Sequence, residues 1–177
     1  MAKTLVLGGI RSGKSDVAER VVAASGAPVC YVATATAGDD EMAARIQRHR
    51  ARRSADWQLV EEPLALGQVL AARDTPAPAL LIDCMSLWLS NGLAAGEATF
   101  TAEREAFLEA LPDYPGPVVV VSNEIGLGLI GMDPLTPRFA EELGWLNQAL
   151  AGCCHNVVMS IAGLPQVLKG QLPGSAG

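Results

Sequence analysis

Apolar residues recur along the chain in short runs, at 4–8, 29–34, 79–84, 118–122 and 157–161. Most of these runs are apolar at nearly every position instead of alternating with polar residues, the pattern of strands covered on both faces. Between them the spacing becomes helical, at 15–24, 41–53, 64–72, 86–93, 102–111 and 137–151. That alternation predicts an α/β fold, a mainly parallel sheet with helices on both faces. The last helix is the best signalled: Thr136 suits its cap, Pro137 its first position, and Phe139, Leu143, Leu146 and Leu150 form one stripe. No internal repeat or linker interrupts the pattern. Residues 1–170 are therefore expected to form one domain, and the small, polar stretch 171–177 a frayed tail.

Composition narrows the picture. A chain of 177 residues is long enough to bury about 70% of the surface that its unfolded form exposes. It is 50% hydrophobic with a formal charge of −6, a folded and acidic protein, and acidic chains are poor general nucleic-acid binders. Cys30, Cys84, Cys153 and Cys154 show no C-x-x-C or Cys/His metal spacing and read as reduced thiols. No signal-peptide architecture and no 18-residue apolar run is present, so no membrane span is expected and the cytoplasm is the expected compartment.

Chemistry enters at Gly8-Gly9-Ile10-Arg11-Ser12-Gly13-Lys14-Ser15, which follows the first apolar run and precedes the first helical pattern. The stretch fits G-x-x-x-x-G-K-[ST], a phosphate-binding loop whose glycines let backbone N–H groups curl round phosphate oxygens. In that reading the fold is a single-domain P-loop NTPase-like one. Lys14 reaches the β- and γ-phosphates, Ser15 ligates Mg²⁺, and the helix N-terminus faces the phosphate charge.

A second element is Leu80-Leu81-Ile82-Asp83, an apolar strand ending in a carboxylate. Beside a phosphate loop such a residue holds Mg²⁺ or its water, and Ser15 with Asp83 forms the candidate metal set. An Asp in this place can equally cap the helix that follows.

The most unusual segment runs from Asp39 to Arg53. Its acidic start and basic end match a helix dipole, yet five of the 13 Lys/Arg residues crowd into Arg45, Arg48, Arg50, Arg52 and Arg53. At helical spacing Met42, Ile46 and His49 share one face, which turns His49 inward among guanidinium groups. Like charges disfavour imidazolium and leave a neutral nitrogen able to act as a nucleophile, while the arginines neutralise a triphosphate. A packed or surface histidine on an ordinary helix is the plainer reading of the same residues.

The ordered set Gly8-Gly9-x-Arg11-Ser12-Gly13-Lys14-Ser15, Tyr31-Val32-Ala33-Thr34, Asp40-Glu41-Met42, Arg45-Ile46-x-x-His49-Arg50, Trp57, Glu61 and Asn123-Glu124-x-Gly126-x-Gly128 resembles the adenosylcobinamide kinase/adenosylcobinamide-phosphate guanylyltransferase family of cobalamin biosynthesis. The resemblance runs from about Leu5 to Leu168, and its His49 segment and Asn-Glu-x-Gly-x-Gly stretch are more specific than the phosphate loop.

The resemblance implies two reactions. In the first, the aminopropanol hydroxyl of adenosylcobinamide takes the γ-phosphoryl group of ATP or GTP, bound with Mg²⁺, and Lys14 is catalytic. In the second, His49 attacks the α-phosphorus of GTP, expels pyrophosphate and holds GMP until the cobinamide phosphate takes it as adenosylcobinamide-GDP. Ala33, Thr34, Ala35, Arg50, Ala51, Arg52, Arg53, Glu61 and Asp83 are implied to complete the nucleotide site with the loop, and either Glu61 or Asp83 to read guanine. The family is typically homotrimeric, which implies a homo-oligomer. One departure is Ala140-Glu141, where the family usually shows Arg-Asp; it puts a subunit or corrinoid contact in doubt. Gly126, Gly128 and Gly131 lie in an apolar loop that either closes over a corrinoid or simply turns. Trp57 and Trp88 are expected in the core, and His155 has no assigned role.

Two other readings stand beside this one: a one-step phosphate-loop kinase with the arginines as a lid, and a non-catalytic nucleotide switch. The first does not explain His49. The second lacks an N-K-x-D motif.

Overall fold

The computed structural model describes residues 1–35, 56–72, 76–127 and 135–172. The helix expected at 41–53, with His49, Arg50, Ala51, Arg52 and Arg53, lies outside the described residues, as do Gly128 and Gly131. Among the described residues seven strands form one sheet: β1 (Lys3–Gly8), β2 (Val29–Ala33), β3 (Gln58–Glu61), β4 (Ala79–Asp83), β5 (Val118–Asn123), β6 (Asn156–Ile161) and β7 (Leu164–Lys169). Among the described residues five helices accompany them: α1 (Lys14–Ala23), α2 (Leu66–Ala71), α3 (Met85–Ala95), α4 (Glu97–Asp113) and α5 (Leu135–Cys153).

The strand order is β3-β2-β4-β5-β1-β6-β7. Every pairing is parallel except β6 with β7, so the mainly parallel sheet expected from the apolar runs is present. Alternate strand residues feed two cores. On one face Val6, Tyr31, Leu81, Val119 and Val121 pack with Val17, Ala18 and Val22 of α1. On the other, Leu5, Leu7, Val32, Ile82, Val118 and Val120 pack with α2, α3, α4 and α5. Trp88 anchors that second core, its ring 5.7 Å from Phe100 and 5.5 Å from Phe107, while its indole N–H donates to the Leu64 carbonyl at 2.7 Å. Such aromatic pairs add about 0.5–1.5 kcal/mol beyond their area. Trp57 lies partly buried against the α1 core.

Several boundaries differ from the sequence expectation. The helix expected at 102–111 begins at Glu97 and extends to Asp113, with Pro112 in its last turn, where a missing N–H breaks only one bond. The last helix starts at Leu135, so Thr136 and Pro137 sit inside its first turn. Its stripe is as expected: Leu143, Leu146 and Leu150 are buried and Phe139 packs beside them.

Two strands carry no signal in the apolar pattern. β3 is four residues long and exposed throughout, held through its backbone to β2. β7 contains Pro165, tolerated because the strand forms the sheet edge. The β6–β7 turn is the two residues Ala162 (φ 52°) and Gly163 (φ 81°), both in the left-handed region that tight hairpins require. Beyond β7, the Gln171 N–H donates to Asn156 Oδ1 at 3.0 Å and Leu172 packs on the α1 core. These two contacts tie down the first residues of the stretch expected to fray.

Candidate active site

Since β1 to β5 run in one direction, Gly8, Ala33, Glu61, Asp83 and Asn123 all end at the same edge of the sheet. Ligands of parallel α/β sheets bind outside this edge. The loop Gly8 to Ser15 joins β1 to α1 there, with Gly13 at the helix N-cap in the left-handed conformation (φ 85°). A side chain at Gly8 would strike Ser12 Oγ, and one at Gly13 would meet the Gly163 Cα at 2.8 Å. Both glycines are thus required by close approach, and Gly13 by its φ as well. Ile10 is exposed at the tip, and Arg11 takes a positive φ of 54°.

The β6–β7 hairpin braces this loop. The Ser12 carbonyl accepts two hydrogen bonds, from Ser160 Oγ and from the Gly163 N–H, both at 2.8 Å. Ser12 Oγ itself is buried and has no hydrogen-bond partner among the described residues. An orphaned buried hydroxyl costs stability unless a ligand atom satisfies it. Lys14 Nζ donates to the Gly9 carbonyl at 3.1 Å, which folds the ammonium back over the loop.

The neighbouring strand ends form a polar lattice. Thr34 Oγ1 accepts from the Cys84 N–H and donates to the Cys84 carbonyl, both at 2.8 Å, while the Thr34 N–H reaches the Asp83 carbonyl. The Thr34 hydroxyl is therefore engaged by backbone and fixes where Asp83 leaves β4. Asn91 Nδ2 of α3 donates to the Thr34 carbonyl at 2.8 Å. The N-cap of α3 is Cys84, without a side-chain cap bond, so the capping role open to Asp83 in the sequence is not the one it takes. Burial, then the negative charge of Asp83, pushes the Cys84 thiol up, partly offset by hydrogen bonds from Ser86 and the Leu87 backbone and, least, by the Lys14 ammonium.

Across the sheet, β4 lies two strands from β1 and β3 four. At about 4.8 Å per strand that sets Asp83 ~10 Å and Glu61 ~19 Å from the loop strand. Ala33 pairs with Glu61 on one side and with Asp83 on the other. Ala35, just past Thr34, is partly buried. The phosphate loop, Ala33, Thr34, Ala35 and Asp83 are thus brought to one end of the sheet, with Glu61 on its outermost strand there.

Magnesium prefers oxygen ligands, keeps several waters, and is held by one or two carboxylates together with substrate phosphates. The Ser15 hydroxyl and the Asp83 carboxylate are a donor set of that kind. Among the described residues no three His, Cys, Asp or Glu side chains converge as a complete cage.

Some of this lattice lies outside the residues singled out in the sequence. Asn91 of α3, and Ser160 and Gly163 of the hairpin, carry no motif. Their only signal is a polar side chain within an apolar pattern, or Gly at a turn.

A family model described as cobinamide kinase / cobinamide phosphate guanyltransferase matches residues 4–168. The chain is 49% identical over 170 residues to the bifunctional adenosylcobalamin biosynthesis protein CobP of Pseudomonas aeruginosa, covering 96% of this chain and 98% of that one. It is 34% identical over 179 residues to the bifunctional adenosylcobalamin biosynthesis protein CobU of Escherichia coli, covering 93% and 98%. A solved structure from Pyrococcus horikoshii OT3, PH0250, has a TM-score of 0.51 at 9% identity, covering 99% of this chain and 90% of that one, a likeness of fold alone. No helix among the described residues is long and apolar enough to cross a membrane. The phosphate loop, the carboxylate two strands away and the matched sequence agree: the chain belongs to the cobinamide kinase/cobinamide phosphate guanyltransferase family of bifunctional transferases.

Proposed function

We propose that the chain phosphorylates adenosylcobinamide from ATP or GTP and then transfers GMP from GTP through a covalent bond to His49. The observation that carries the first step is the braced loop, with Ser12 Oγ unpartnered and α1 starting at its end. Its N–H groups and Lys14 hold the β- and γ-phosphates, and the Ser12 hydroxyl donates to a phosphate oxygen. Ser15 and Asp83 hold Mg²⁺, which supplies charge neutralisation on the transferring group. The acceptor alcohol forms its bond to γ-phosphorus as the bridging P–O bond breaks and the nucleoside diphosphate leaves with the electron pair.

In the second step a neutral ring nitrogen of His49 forms a P–N bond at the α-phosphorus while the bond to pyrophosphate breaks. Arg50, Arg52 and Arg53, flanking Ala51, neutralise the triphosphate during that attack. An oxygen of the cobinamide phosphate then displaces the imidazole, giving adenosylcobinamide-GDP. Glu61, four strands from the loop strand, is the better placed acceptor for guanine N–H groups, and Asp83, two strands away, the better placed metal ligand. Assembly as a homotrimer is part of the same reading, and sedimentation equilibrium reads it directly.

The test is incubation with α-labelled GTP followed by denaturation. Acid-labile, base-stable label on the wild-type chain, absent from His49→Ala, is expected. Lys14→Ala should lose at least 100-fold in kinase turnover, whereas His49→Ala should keep it. Full guanylyl transfer by His49→Ala would overturn the covalent route.

A further inference from the structure

Asn123, at the same end of the sheet, is a carboxamide to which neither reaction above assigns a part. Asn123 ends β5, the strand lying between β1 and β4. It pairs with Gly8, while Asp83 pairs with Val121 two residues earlier. Val119 and Val121 face the α1 core, and alternation carries Asn123 onto that face. Ala79 and Leu81 carry Asp83 onto it in the same way. Asn123 therefore stands at the end of β5, between the strand that ends at the first glycine of the phosphate loop and the strand that ends at Asp83.

Its surroundings hold it in place. Asn123 Nδ2 donates to Ser86 Oγ at 2.7 Å, and Ser86 is buried and in contact with Cys84 Sγ at 3.1 Å. The Asn123 carbonyl accepts from Asn147 Nδ2 at 3.0 Å, and Asn147 Oδ1 accepts from Ser122 Oγ at 2.6 Å. The Glu124 N–H donates to the Gly8 carbonyl at 3.1 Å, stapling the end of β5 to the start of the loop. One amide hydrogen is thus committed to Ser86. Among the described residues nothing donates to Asn123 Oδ1, and the second amide hydrogen has no acceptor.

We propose that Asn123 is a catalytic residue of the phosphoryl transfer: its remaining N–H donates to an oxygen of the γ-phosphoryl group, and Oδ1 accepts from the attacking alcohol. This rests on the kinase reading given above. Such a contact lines the acceptor oxygen up with the γ-phosphorus, which is most of what catalysis of this reaction requires. The carboxamide takes no proton; the alcohol proton passes to the phosphoryl oxygens and solvent as the new P–O bond forms. Ser86 is a positioning residue that fixes the amide plane. Neither group is needed for attack by His49 at the α-phosphorus.

Asn123→Asp separates this role from a structural one. The variant keeps shape and volume, and Ser86 can donate to the new carboxylate, so the tie to α3 survives. The phosphoryl group, however, meets a negative charge in place of a donor. We expect kinase kcat to fall about 100-fold or more, as for loss of one transition-state donor, with the melting temperature nearly unchanged. Labelling of His49 by α-labelled GTP, read without acceptor at saturating GTP, should fall at least tenfold less than kinase kcat. Asn123→Ala should show the same split, and Ser86→Ala a kcat loss of about tenfold with little change in KM for the triphosphate. Equal loss of kinase turnover and His49 labelling, or kinase turnover unaffected in Asn123→Asp and Asn123→Ala, would overturn the assignment while leaving the kinase reading intact. A wild-type chain that phosphorylates no cobinamide would overturn both.

Discussion

Thr34 shows how much one hydroxyl can organise. It serves as donor and acceptor to the two backbone groups of Cys84, and so sets the direction in which the chain leaves β4 just after Asp83. Thr34→Val keeps the shape but strands a buried N–H and a carbonyl. The expected cost is roughly 2–4 kcal/mol, read as a lower urea midpoint, together with weaker binding of the triphosphate with Mg²⁺. Cys154 makes the pH dependence measurable. Burial, reinforced by neighbouring Cys153, raises its thiol from 9.0 to about 12. The native thiol stays neutral where the unfolded one ionises, so its contribution is complete below pH 9 and is lost as pH rises towards 12. The slope is about 1.4 kcal/mol per pH unit in that window. Chemical denaturation at successive pH values should show the wild type losing stability faster than Cys154→Ala above pH 9.

Among the elements, the β6–β7 hairpin reaches the phosphate loop although its outer strand, β7, is an exposed edge. Its turn sends Gly163 N–H, and β6 sends Ser160 Oγ, to the same Ser12 carbonyl, fixing the phosphate loop from outside. Ser160→Ala removes one of these bonds. It is expected to cost about 1 kcal/mol of stability and to weaken triphosphate binding three- to tenfold, about the same free energy. Calorimetric titration with a non-hydrolysable triphosphate reads the second effect. An unchanged dissociation constant would mean that the loop is held for the triphosphate without the Ser160 bond. Elsewhere, Gly67 brings α2 against the Ala106 backbone of α4, and Gly92 brings α3 against Phe100, so the helices on the second face pack closer than side chains would allow.

For the whole molecule, ligand binding and folding are linked. A ligand at 100 times its dissociation constant adds about 2.7 kcal/mol, or roughly 5–11 °C in melting temperature for a domain of this size. GTP with Mg²⁺ should raise the wild-type melting temperature by about that amount and His49→Ala by nearly as much. Lys14→Ala should lose most of the shift, because the loop joins β1 to α1 at the centre of the sheet, and closing it round phosphate ties together elements from both cores. Differential scanning fluorimetry across a GTP series reads all three proteins at once.

The α/β class, five of the seven strands, the phosphate-loop motif and the stripe of α5 are legible in the order of residues alone. Each depends on local periodicity or on a motif contiguous in the chain. The sequence did not disclose β3 or β7, because an edge strand is held by backbone hydrogen bonds and its side chains need not be apolar. Nor could it exclude a capping role for Asp83; the structure gives the N-cap position to Cys84, which Thr34, 50 positions earlier, holds through two bonds. The brace on Ser12 from Ser160, and the place of Asn123 between Gly8 and Asp83, arise from strand order. Strand order is a long-range choice, made when whole apolar faces find their cover, and only the folded sheet contains it.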